Sequence, residues 1–119
     1  MSRCLQCDQA LEVSQLRCRG CEVTHSGRFM TGRLARLSGS QQRLIEQVIL
    51  AGGNLKEVAR DAEVSYPTFR KRLEAVIDDL NELRRRDDET ARALLEDVEH
   101  KRLAPEAAAR QIKEMNGGT

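Results

Sequence analysis

Asn54-Leu55-Lys56-Glu57-Val58-Ala59-Arg60-Asp61-Ala62-Glu63-Val64-Ser65-Tyr66-Pro67-Thr68-Phe69-Arg70-Lys71-Arg72-Leu73 decides the fold of this 119-residue chain. Asn54 is placed to cap a short helix, Leu55 to Ala62, whose inner face is Leu55, Val58 and Ala59. Glu63-Val64 makes a turn. Ser65 caps a longer helix with Pro67 in its first turn, where a missing N–H removes no hydrogen bond. From Phe69 the apolar residues Leu73, Val76, Ile77, Leu80 and Leu83 recur at intervals of three and four. Upstream, Ser38-Gly39-Ser40 punctuates the chain, Gln41 to Ala51 carries Leu44, Ile45, Val48 and Ile49 at helical spacing, and Gly52-Gly53 stops that helix. Short helix, tight turn and capped longer helix is the arrangement whose second member enters the major groove of DNA.

Toward the N-terminus all four cysteines fall in two C-x-x-C knuckles, Cys4-Leu5-Gln6-Cys7 and Cys18-Arg19-Gly20-Cys21, ten residues apart. Four thiolates at this spacing supply a complete tetrahedral set for one structural Zn²⁺ and leave no open position for catalysis. Disulfides and thiol redox chemistry are the competing readings. A reducing compartment disfavours the first, and a redox pair would come singly ahead of a helix. His25 follows the last cysteine closely but is expected to be an exposed bystander. Between the knuckles, Leu11 to Arg17 alternates apolar and polar as a short hairpin does, and Val23 to Phe29 is a candidate third strand. The pattern resembles a zinc ribbon, expected over residues 1–36.

Toward the C-terminus the stripe passes beyond what a trihelical core needs. One helix from Ser65 to Arg86 would reach about 33 Å, and Leu80 and Leu83 would require cover. Pairing of two chains through Leu80 and Leu83 is the economical expectation; intramolecular cover by the last helices is the alternative. On the wheel, Phe69, Leu73, Val76 and Leu80 face inward, while Lys71, Glu74, Asp78 and Glu82 lie opposite. The helix is thus basic only in its first turns and would meet DNA end-on. Arg84-Arg85-Arg86 before Asp87-Asp88 reads as charges complementing two helix ends. Asp88 to Glu99, with Ala91, Leu94, Leu95 and Val98 inward, then a turn and a helix from Ala104-Pro105-Glu106 to Asn116-Gly117-Gly118, form an expected helical hairpin over 87–119. Too small to fold alone, it should dock on the middle domain or on another copy.

Gly53-Asn54-Leu55, Ala59, Val64-Ser65, Thr68-Phe69 and Arg70-Lys71-Arg72-Leu73 resemble the C-terminal DNA-binding domain of the Fis family and of NtrC-like activators. The whole arrangement, ribbon followed by Asn-Leu-Lys-Glu-Val and Val-Ser-Tyr-Pro-Thr-Phe-Arg, resembles a family of small bacterial proteins known only as a domain of unknown function. The Fis-like resemblance implies that Ser65, Tyr66, Thr68, Arg70 and Lys71 face DNA and that Asn54 and Lys56 approach phosphate. Glu63 departs from it, because such turns usually carry Gly. If the position needs positive φ, a non-Gly residue there costs about 1 kcal/mol.

Charge supports a localised contact rather than a general polyanion binder. Residues 1–40 hold six arginines against three acids, residues 41–86 nine bases against eight acids, and residues 87–119 five bases against eight acids. No apolar run is long enough to cross a membrane and no signal-peptide core is present, so a cytoplasmic location is expected. Two histidines, committed thiols and the absence of any phosphate-binding glycine loop argue against an enzyme. Three aromatic residues are too few for a single-strand stacking platform. The sequence thus predicts a mainly α protein: zinc ribbon (1–36), central trihelical helix-turn-helix (37–86) and C-terminal helical hairpin (87–119). Its expected function is a sequence-specific regulator binding double-stranded DNA as a homodimer. The rival is a protein-interaction adaptor that binds a partner through ribbon and hairpin.

Overall fold

The computed structural model describes residues 3–9, 11–29 and 32–116. Two strands, β1 (Val13–Arg17) and β2 (Thr24–Phe29), precede a 3-10 turn at Arg33–Arg36 and four helices. These are α1 (Gly39–Leu50), α2 (Leu55–Asp61), α3 (Tyr66–Glu99) and α4 (Pro105–Met115). The fold is therefore mainly helical with a small two-stranded antiparallel sheet near the N-terminus. Its contacts divide into two compact units: one joins the chain up to Arg36 with the chain from Ala93 onward, and the other is Leu37–Arg92.

Leu37–Arg92 is organised by helix ends. Ser38 and Gln41 form a reciprocal capping box on α1, and the Asn54 side chain accepts from the Glu57 N–H at 3.2 Å to cap α2. At the end of α1 the Gly53 N–H reaches the Val48 carbonyl and the Gly52 N–H that of Ile49, with Gly52 at φ 63°. At the end of α2 the same pattern recurs: Val64 N–H to Ala59, and Glu63 N–H to Arg60. This is the six-to-one and five-to-two bonding that stops a helix through a left-handed residue. Glu63 adopts φ 55°, so the position does need positive φ and the chain carries a carboxylate where Gly would fit without strain. The two turns fold α1 and α2 against the start of α3. Val58, Ala59 and Phe69 form the buried centre, with Leu44, Val48, Leu55, Val64 and Leu73 packed around it; Phe69 is only 2% exposed.

The structure corrects the sequence reading in four places. Leu11 to Arg17 does not turn back on itself; Val13–Arg17 is one strand whose partner is Thr24–Phe29, in the register Gln15 to Ser26, Leu16 to His25 and Arg17 to Thr24. The residues between Arg17 and Thr24 that include the second knuckle are the hairpin's connection. Secondly, α3 runs unbroken for 34 residues, about 51 Å at the usual rise, through the boundary placed after Arg86. Arg84 to Asp88 marks no helix ends. Glu82, Arg85, Arg86 and Glu89 pair along one continuous helix, and Asp87 is buried. Thirdly, the end of α3 from Ala93 onward and α4 share a compact unit with the N-terminal segment rather than with Leu37–Arg92. Within it the Arg28 guanidinium stands 3.4 Å from the Glu114 carboxylate, and Arg33 bonds the Asn116 amide. Lastly, Leu95, expected inward, is exposed. The anticipated Gly117-Gly118 stop lies outside the described residues, whereas Lys101, at φ 58°, ends α3 by the same bonding that ends α2.

Candidate nucleic-acid interface and cysteine knuckles

α3 begins directly after the left-handed turn at Glu63, and its first turns project side chains outward because Phe69 fixes the inner face. Ser65 caps the helix: its hydroxyl accepts from the Thr68 N–H at 3.3 Å and donates to Thr68 Oγ1 at 2.8 Å. Ser65, Tyr66, Thr68 and Lys71 are all exposed. Arg70 is half-buried, and its guanidinium is engaged one turn on by the Glu74 carboxylate at 2.8 Å. Asn54 and Lys56 are also exposed, although the Asn54 oxygen is already occupied by capping. Leu80 and Leu83 are half-buried in the single chain. A separate groove of about 470 Å³, lined by Gln41, Arg43, Leu44, Phe69, Arg72 and Val76 among others, shares none of the predicted DNA-facing residues.

Residues 37–82, which span α1, α2 and the first half of α3, match the family model described as domain of unknown function (DUF2089)-HTH. Over these residues the chain is similar to that helix-turn-helix family. No curated protein and no solved structure was found to match the chain. The match begins at the first residue of the compact unit Leu37–Arg92. It contains every residue that the sequence placed at DNA.

The cysteines sit in two knuckles of the same build. In the first, the Cys4 N–H bonds the Gln9 carbonyl at 2.8 Å and the Asp8 N–H returns to the Cys4 carbonyl at 3.0 Å; in the second, Cys18 to Val23 and Glu22 to Cys18 repeat these bonds at 2.8 and 3.0 Å. Asp8 and Glu22, each next after the second cysteine, take φ 60° and 62°. The backbone N–H groups of Cys7 and Gln6, and then the Cys7 thiol, hold the Cys4 thiol below its ordinary pKa. Cys21 and Gly20 do the same for Cys18. Each pair of thiols is thus brought together, while no group of three or more His, Cys, Asp or Glu placed to hold a metal ion is found among the described residues. His25 is exposed on β2.

Around the knuckles there is little else to hold the chain. Every residue of β1 is exposed, as are Leu5, Leu11 and Val23, with Leu5 at 87%. Sequence reasoning missed what closes each knuckle: Arg3 pairs with Asp8 at 2.9 Å and Arg17 with Glu22 at 2.7 Å. The signal was present as a repeated Arg-Cys-x-x-Cys-acid, at Arg3 to Asp8 and Arg17 to Glu22. No helix among the described residues is long and apolar enough to cross a membrane.

Proposed function

We propose that the chain is a sequence-specific regulator of transcription that binds double-stranded DNA through its helix-turn-helix and has no catalytic activity of its own. The observation that carries this reading is the exposed Ser65, Tyr66, Thr68 and Lys71 on the first turns of α3, directly after the tight turn, within a segment matching a helix-turn-helix family. Hydroxyls and a Lys ammonium there have the chemistry for base edges and phosphates. Arg70 would exchange the Glu74 carboxylate for a guanine edge or a phosphate. Asn54 would approach phosphate through its amide nitrogen, because its oxygen caps α2, and Lys56 by direct charge. Pairing through the half-exposed Leu80 and Leu83 would bring two such helices to a two-fold operator.

In this reading Cys4, Cys7, Cys18 and Cys21 hold one structural Zn²⁺. The donor set fits, being four thiols delivered in pairs by twin knuckles, and the exposed hairpin supports it because burial supplies almost no stability there. Bound zinc would supply a covalent-strength cross-link between the knuckles. The residues do the rest: β1 and β2 set the spacing, and the knuckle backbones aim their N–H groups at Cys4 and Cys18. A cytoplasmic location is consistent with reduced thiols.

The Arg70–Glu74 pair and the Glu63 carboxylate favour a second reading, an adaptor that binds a protein partner through the hairpin region or the C-terminal helices. The deciding experiment is retention on sheared genomic DNA across a salt series, with sequencing of bound fragments and a Thr68→Ala/Arg70→Ala/Lys71→Ala control. A shared sequence that the folded control fails to enrich supports the regulator. Absence of retention at every salt concentration transfers the case to the adaptor.

A further inference from the structure

Left-handed backbone is unfavourable for any residue with a Cβ, yet both knuckles place a carboxylate-bearing residue there instead of Gly. The same residue must hold that conformation for its N–H to reach the first cysteine's carbonyl, 3.0 Å away in both knuckles. Both acids are gripped by the arginine that precedes the first cysteine. Arg3 Nη1 bonds the Asp8 carboxylate at 2.9 Å and also donates to the Asp8 backbone carbonyl at 2.8 Å, while Arg17 bonds the Glu22 carboxylate at 2.7 Å. A Gly at position 8 or 22 would adopt the turn unaided, but it would carry no charge for the arginine to hold.

We propose that Arg3 and Arg17 are positioning residues that clasp Asp8 and Glu22 in the left-handed turn, so that each Cys-x-x-Cys knuckle is shaped before it takes a metal ion. This rests on the zinc reading above and adds two residue pairs to it. The clasp acts through backbone conformation: the guanidinium holds the carboxylate, the carboxylate's residue holds its turn, and the turn keeps the N–H groups of residues 6 and 7, or 20 and 21, beside the first sulfur. Neither arginine would bind the metal.

Two measurements on the full chain test this. Zinc affinity is read by competition with a chromogenic chelator, and exchange of the Asp8 and Glu22 amide protons is read by NMR on the protein as purified. Because exposed ion pairs are individually weak, Arg3→Ala and Arg17→Ala should each lower zinc affinity about two- to fivefold, with a comparable acceleration of exchange confined to the affected knuckle. Adding Asp8→Gly to Arg3→Ala, or Glu22→Gly to Arg17→Ala, should restore affinity, since Gly takes the turn without a clasp. Arg17→Lys should retain most of it. Unchanged affinity and exchange in both alanine variants overturn the proposal. So does a loss that Gly fails to rescue, which would mean that the arginines act by charge alone. If the native chain takes up no zinc, the zinc reading fails by itself, and the exchange data still decide whether the clasp shapes the knuckle.

Discussion

The β-hairpin with its knuckles and the helical unit Leu37–Arg92 are held by different physics. The helical unit encloses Phe69, Val58 and Ala59, and its two inter-helix turns are closed by backbone bonds that sequence-local residues specify. The hairpin encloses nothing: its leucines and valines face solvent, and its order comes from strand bonds, two repeated turns and ion pairs that include Arg3–Asp8, Arg17–Glu22 and Arg28–Glu12. Burial stabilises one region; in the proposed reading, metal bound by the cysteines stabilises the other. The left-handed residues show the contrast in miniature. Among the described residues no ion pair is formed by Glu63 at the α2 end, where Val64 packs against the core; Asp8 and Glu22, which lack such packing, are each paired with an arginine.

The largest effect expected is on the hairpin. Cys18→Ser should abolish its order while the helices stay folded, because a structural zinc site contributes on the order of 10 kcal/mol; amide dispersion at positions 13–29 should collapse while helical circular dichroism persists. Freshly purified, reduced protein without zinc would break the comparison at its root. In the other region, Phe69→Ala should cost about 3–5 kcal/mol of helical stability in denaturant unfolding and leave zinc content unchanged. Smaller again are the turns: Asn54→Ala should cost about 1 kcal/mol, whereas Glu63→Gly should add up to about 1 kcal/mol by relieving the left-handed strain. A loss of stability in Glu63→Gly would show that the carboxylate has a partner role outweighing its backbone strain.

Much of this was legible in the residues because it was local. Asn54, Ser65, Pro67 and the Gly52-Gly53 stop each announce a helix end through their own chemistry, and all fall where the structure ends or starts a helix. The cysteine spacing announced both knuckles. What failed was non-local or cumulative. Arg84 to Asp88 looks like a junction when charges are read against helix dipoles, but Glu82, Arg85, Arg86 and Glu89 are spaced to pair within one helix, and no Gly or Pro interrupts them. Alternation over Leu11–Arg17 could not reveal that its partner strand lay beyond the second knuckle. The division that groups α4 with the N-terminal segment goes with contacts between residues far apart in the sequence, such as Arg28–Glu114 and Arg33–Asn116, for which no local pattern exists.

The smallest effect expected is at the charged cluster on α3. Arg85 bonding, followed by Arg86, holds the Glu82 carboxyl down to about 2 from an ordinary value of 4.5. A lowered carboxylate pKa stabilises the fold above the ordinary value and loses that contribution as pH falls toward the lowered one. Between about pH 4.5 and 2 the native chain should therefore lose slightly more thermal stability than Glu82→Gln. Because the group is solvent-exposed, the difference should shrink in high salt. Superimposable acid titrations of the two proteins would show that the pairs are incidental to the helix.

The central claim, that the well-packed region serves to present the first turns of α3 to DNA, is tested most directly by the salt dependence of duplex affinity for the native chain and for Lys71→Ala. The account predicts measurable binding at about 50 mM salt, a steep fall in affinity with rising salt, and a slope smaller by about one in the Lys71→Ala protein on every sequence. No binding to any duplex at low salt by the folded native chain would contradict it.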